Sequence, residues 1–137
     1  MPEHTADSRY AWLRLAATLG LMTVGSAAMY VVAVVLPAVQ AEFGVARADA
    51  SLPYTATMIG FSIGAIFMGR LADRKGIMWP LTIGAIMISI GYVAASHATS
   101  LWQFILAQGL LIGMAGSSAT FAPLIADVSH WFTRNRG

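Results

Sequence analysis

The sequence predicts an all-α integral membrane protein with four transmembrane helices, and three observations carry that prediction. Hydrophobic residues make up 58% of the chain and charged residues 10%, where a soluble domain carries roughly 25% charged residues. Residues 15–41, 50–69 and 76–126 contain no formal charge at all. The charges that remain fall between these runs, and the basic ones collect on one side of the predicted membrane.

A helix needs about 20 apolar residues to cross a bilayer. The first run predicts a helix at about 13–38, preceded by a tail over 1–12. That run is far longer than the roughly 7–15 residues of a signal-peptide core, and the head MPEHTADSR is mixed in charge, so the segment is expected to stay in the membrane. The second run predicts a helix at about 51–71. The third run is long enough for two spans, and the small polar stretch SHATS (96–100) divides it into helices at about 78–96 and 101–126.

Basic residues mark cytoplasmic loops. Arg9, Arg14, Arg70, Arg74, Lys75, Arg134 and Arg136 fall on one side and Arg47 alone on the other. Both termini are therefore expected in the cytoplasm, with the lipid bilayer as the chain's solvent. The basic residues are not interleaved with aromatics on a face, so no nucleic-acid partner is expected. The chain has no cysteine, which removes thiol catalysis and Cys-ligated metals. His97 and His130 fall near opposite membrane faces and His4 in the tail, so no metal is expected. No cofactor is expected either, and no nucleophile–base pair within the spans suggests an enzyme.

One stretch departs from this sparse charge pattern. GRLADRKG (69–76) holds Arg70, Asp73, Arg74 and Lys75 between two glycines. Topology accounts for the basic residues but not for Asp73, Gly69 or Gly76. The stretch resembles the loop between the second and third helices of the major facilitator superfamily of secondary transporters, whose pattern reads G-x-L-a-D-R-x-G. The resemblance implies a twelve-helix fold of two six-helix halves, with residues 13–137 supplying the first four helices of the N-terminal half. It also implies a conformational latch at Gly69, Asp73, Arg74 and Gly76. The resemblance implies that Asp73 meets a helix N-terminus of the second half in the outward-open state, an arrangement favoured by about 0.3–1 kcal/mol. Ile77 and Met78 stand where the family usually has basic residues. Asp127, at the end of the fourth helix, is then expected to pair with Arg70, Arg74 or Lys75, or to remain a solvated interfacial acid.

The tail HWFTRNRG (130–137) is similar to a WF-x-x-R-R-G segment of the monocarboxylate and oxalate–formate branches, although a Trp–Phe pair before arginines is also an ordinary interfacial anchor. The acidic-glycine-aromatic signature of the monocarboxylate branch is missing from the first helix. Ile105 stands where the drug–proton antiporter branch carries an Arg.

The family's cavity is lined mainly by helices one, four, seven and ten. At about 100° per residue, Thr23, Ser26 and Tyr30 share a face of the first helix and are candidates to line a substrate cavity, with back-bonding and packing as the competing reading. Gln108 is the candidate on the fourth helix. Gly109, Gly113, Gly116, Ser117 and Thr120 form a small-residue stripe there, and Gly60 and Gly64 form one on the second helix; these are expected to pack helices closely. No ionisable residue lies deep in a span, so a proton-coupling group would lie outside this chain.

GSAAMY (25–30) and GSSATF (116–121) are alike on oppositely running helices, as inverted repeats require. The chain is expected to be an N-terminal fragment lacking the C-terminal part of the transporter. The expected function is alternating-access transport of a small organic solute, such as a monocarboxylate-like anion, with or without a coupling proton. The alternatives are drug or metabolite efflux, or a non-transporting four-span protein that scaffolds or regulates a partner. A dimeric four-helix exporter would need a membrane-embedded Glu in the first helix, which is absent. Seven Arg to one Lys, with abundant Ala, suggests a GC-rich bacterial source.

Overall fold

The computed structural model describes residues 8–131, which form helices joined by short turns, with no strand among the described residues. Four helical stretches are long and apolar enough to cross a membrane: Arg9–Val34, Arg47–Lys75, Met78–Ser96 and Leu101–Trp131. The chain is a multi-pass, all-α membrane protein.

The first span is α1 (Arg9–Val34), whose N-terminus is capped by the Ser8 hydroxyl accepting from the Ala11 N–H at 3.4 Å. It ends earlier than the sequence suggests because Pro37 cannot donate to the carbonyl one turn back. A separate short helix, α2 (Leu36–Phe43), starts there with the proline in its first turn. Gly44 closes α2 at φ +59°, a left-handed conformation that glycine adopts without strain.

The second span begins with one turn, α3 (Arg47–Ala50), and continues after Ser51 as α4 (Leu52–Lys75) with Pro53 in its first turn. It is longer at both ends than the charge-free run. Gly76 terminates it at φ +85°, with its N–H donating to the Ala72 carbonyl at 2.8 Å. The third span, α5 (Met78–Ser96), has the expected bounds.

The fourth span is composite. It runs from α6 (Leu101–Leu106) through a π-helical segment (Ala107–Ser117) into α7 (Ser118–Trp131). The i→i+5 pattern makes a wider turn, and π geometry of this kind often marks functional sites. The glycines at 109, 113 and 116 let the widened stretch fit among its neighbours. α7 continues past 126 because the charge of Asp127 is compensated there, as described below.

The fourth span is the core. In its most apolar stretch 56% of residues are buried, against 28, 17 and 17% for the other three. What is buried is small: Gly60 and Gly64 on α4, Gly84 and Gly91 on α5, Gly109, Gly113 and Gly116 in the π segment. A Cβ at Gly60 would overlap the Gly109 carbonyl, and one at Gly64 the Met114 carbonyl. A Cβ at Gly113 would stand 2.6 Å from the Thr57 carbonyl, and one at Gly116 2.5 Å from the Ile88 side chain. The large apolar side chains point the other way: Ile59, Ile66, Phe67, Ile86, Ile90 and Val93 are exposed. Between lipid-facing helices hydrocarbon burial gives little driving force, so backbone proximity and dispersion do the work. Tyr92 adds a tie from the third span to the first, donating to the Ala28 carbonyl at 2.9 Å.

Candidate functional site

Two of the places where polar side chains of different spans come together bear on function. The first is a recess of about 190 Å³ between the first, second and fourth spans. The first span contributes Gly25, Ser26, Met29 and Tyr30, the second Phe61, and the fourth Ser117, Thr120 and Phe121. One helical face of α1 places Ser26 and Tyr30 one turn apart. The close approach behind it depends on Gly25, where a Cβ would overlap the Thr120 side chain. Phe61 and Phe121 meet edge to face, with centroids 5.8 Å apart and planes at 70°.

The hydroxyls differ in how they are satisfied. Thr120 donates to the Ser117 carbonyl at 2.9 Å. Ser117 is 2% exposed, and its hydroxyl has no hydrogen-bond partner among the described residues. Ser26 and Tyr30 likewise have no hydrogen-bond partner among the described residues. No charged side chain lines the recess.

Of the cavity candidates read from sequence, Ser26 and Tyr30 line the recess and Thr23 and Gln108 do not. Thr23 donates to the Leu19 carbonyl of its own helix at 2.8 Å. Gln108 is buried against the second span, its carbonyl 3.3 Å from the Thr57 hydroxyl and its side-chain Oε1 without a partner. Ser117 and Thr120 belong to the stripe read as packing, and they join the recess because the first span crosses the fourth there. Phe61 and Phe121 carry no signal in the sequence that sets them apart from lipid-facing aromatics.

The second place is the end of the bundle where α1 begins and α7 ends. Arg14 grips Asp127 with two bonds, Nε to Oδ2 at 2.7 Å and Nη2 to Oδ1 at 2.8 Å. Its guanidinium also lies 4.9 Å from the centre of the Trp131 ring, and Nη1 is 3.5 Å from the Tyr10 hydroxyl. Tyr10 closes the cluster edge-on against Trp131 at 5.3 Å. The expected pairing of Asp127 with Arg70, Arg74 or Lys75 is thus corrected. Arg14 projects from α1 directly onto the last turns of α7, whereas the loop residues face outward.

At that loop Arg70, Asp73, Arg74 and Lys75 are all exposed. Arg74 and Lys75 occupy the last turn of α4, where positive charge complements the helix dipole. The Lys75 ammonium lies 5.0 Å from the centre of the Trp79 ring. Asp73 makes no hydrogen bond or ion pair among the described residues, and it stands at the end of α4 that disfavours a carboxylate. Gly76 needs its positive φ; Gly69 meets nothing within 4 Å at its Cβ position. Arg134, Arg136 and most of the HWFTRNRG tail lie outside the described residues. Among the described residues no cluster of His, Cys, Asp and Glu could hold a metal ion.

Residues 17–137 match the family model described as Major Facilitator Superfamily. The chain is 39% identical over 75 residues to the MFS-type transporter pytF of Aspergillus terreus, a match covering 55% of this chain and 25% of that protein. It is 33% identical over 110 residues to Myo-inositol transporter 1A of Cryptococcus neoformans, covering 78% of this chain and 19% of the relative. It is 33% identical over 87 residues to Monocarboxylate transporter 13 of Bos taurus, covering 64% and 19%. The matches span between 16 and 25% of the length of such relatives. These fungal and bovine proteins give no support to a bacterial source. No solved structure matches the chain.

Proposed function

The chain belongs to the Major Facilitator Superfamily, and from that premise we propose that its spans are the first four helices of a transporter moving a small organic solute by alternating access. The observation that carries this reading is the recess between the first, second and fourth spans, where the Ser26, Tyr30 and Ser117 hydroxyls have no hydrogen-bond partner among the described residues. A hydroxyl in an apolar environment without a partner is unfavourable by about 1–3 kcal/mol. That applies to Ser117, which is buried; with the part-exposed Ser26 and Tyr30 beside it, the space is one that a polar solute stabilises.

The excess of basic residues there supports a cytoplasmic position for the end carrying Arg14 and the 69–76 loop. There Asp73, solvated and set at the unfavourable end of its own helix, is available to a helix N-terminus on another part of the transporter, as a latch requires. Gly76 gives the loop its turn, and Arg74 and Lys75 flank the carboxylate. The Arg14–Asp127 pair instead holds the first and fourth spans to each other, so this half moves as one body while the latch opens and closes.

Two relatives are named for a myo-inositol and a monocarboxylate transporter, and both solute types suit a recess of this size. Uptake of labelled myo-inositol and of labelled lactate into proteoliposomes containing the whole transporter to which these four spans are proposed to belong tests the reading. Saturable flux of either above empty vesicles, reduced by Asp73→Asn, is expected. Flux equal to that of empty vesicles for both solutes would remove the transport proposal.

A further inference from the structure

Resting on the recess as the solute site, we propose that it selects the uncharged, hydroxyl-bearing part of a solute, a neutral polyol, and disfavours a carboxylate. The inference starts from how hydroxyls are treated elsewhere in the bundle. Thr23, Thr57, Ser62, Thr82, Ser89 and Ser118 each donate to the carbonyl four residues earlier in their own helix. That bond is the ordinary way for a helix in hydrocarbon to hide a hydroxyl. Ser26 and Ser117 forgo it, on two different spans, and both face the same space. Ser117 is 2% exposed, so bulk solvent does not satisfy it either.

The chemistry of the surround then narrows the occupant. A hydroxyl is one donor and two acceptor lone pairs. A partner that also both donates and accepts, such as another alcohol, can satisfy each of Ser26, Tyr30 and Ser117 in either sense. A carboxylate only accepts, so it leaves the hydroxyl oxygens unserved. It also brings a charge that these four spans do not answer: the lining they contribute contains no cation, and Arg14 is about 18 Å from Ser26 along α1 at about 1.5 Å per residue, already gripped by Asp127. Burying an unpaired carboxylate is strongly unfavourable. Phe61 and Phe121 supply apolar surface at the same recess, suited to the C–H face of a polyol.

Thermal unfolding of the full chain in detergent micelles tests the proposal, with mannitol, xylitol and glucose as neutral probes and lactate and benzoate as anionic ones. Sugars stabilise most proteins by exclusion from the surface, so the readout is the saturable part of the midpoint shift that Ser117→Ala and, separately, Ser26→Ala remove. At least one polyol is expected to give such a shift, with half-saturation at least tenfold weaker in each variant, while lactate and benzoate give none. A saturable lactate or benzoate shift abolished by the same substitutions overturns the polyol class and leaves the site standing. Shifts identical in the native chain and both variants, or no saturable shift from any probe, overturn the proposal and the recess as a solute site together. The two substitutions lie on different spans, so misfolding of one variant leaves the other to decide.

Discussion

The first and fourth spans meet twice, and the two meetings are opposites. At the basic end the half-buried guanidinium between them is answered: Arg14 by Asp127, Trp131 and Tyr10. About two-thirds of the way along α1 the same helices enclose a recess where the Ser26, Tyr30 and Ser117 hydroxyls have no hydrogen-bond partner among the described residues. The difference teaches where the protein is finished and where it waits. Where these helices pack, the half-buried charges of Arg14 and Asp127 are too unfavourable to leave unmatched, so they pair with each other. Hydroxyls are mild enough to hold open for a visitor.

Gly25→Val breaks both meetings at once, because the added side chain would occupy the space of Thr120. Overpacking of this kind destabilises by about 3 kcal/mol, and chemical unfolding in micelles should show a loss of that order. An unchanged midpoint would mean that the spans separate without penalty. Asp127→Asn breaks only the basic end. It leaves the guanidinium half-buried without its counter-charge, a loss of about 2 kcal/mol for a two-bond pair of this exposure. A double-mutant cycle with Arg14→Gln should recover most of that as coupling, and additivity would show the pair to be energetically idle.

Ser117→Ala sharpens the contrast from the other side. Removing a buried hydroxyl that has no partner should stabilise the empty protein by about 1 kcal/mol, read as a raised midpoint without solute. Destabilisation would reveal a partner for that hydroxyl. Tyr30→Phe should move stability least, by under about 0.5 kcal/mol, since the side chain is 53% exposed. Its effect belongs in solute uptake; a several-fold loss of flux with an unmoved midpoint is expected, and a shift in the midpoint alone would reassign Tyr30 to packing.

The four spans were legible because a charge-free run of the right length has few other meanings. Third-span bounds match because both ends carry turn residues, Gly76 before and the SHATS break after. The break of the first helix at Val35 was signalled by Pro37, whose effect the apolar run hid. Extension of the fourth span to Trp131 was not legible: it depends on Arg14, 113 residues from Asp127 in sequence. Ser26 and Tyr30 could be placed by helical spacing. Thr23 shares that spacing and still turned inward to its own carbonyl, a choice that periodicity does not register. Ser117 looked like one more small residue in a stripe, since whether a serine is bonded depends on geometry that composition does not carry.

The burial of the fourth span also gives the bundle a chronology. The first three spans touch one another sparingly and the fourth extensively. A ribosome delivers the chain from its N-terminus, so three helices enter the bilayer before their common partner exists. Their glycine faces stay in lipid until then, and the packing of these four helices dates from the arrival of the fourth.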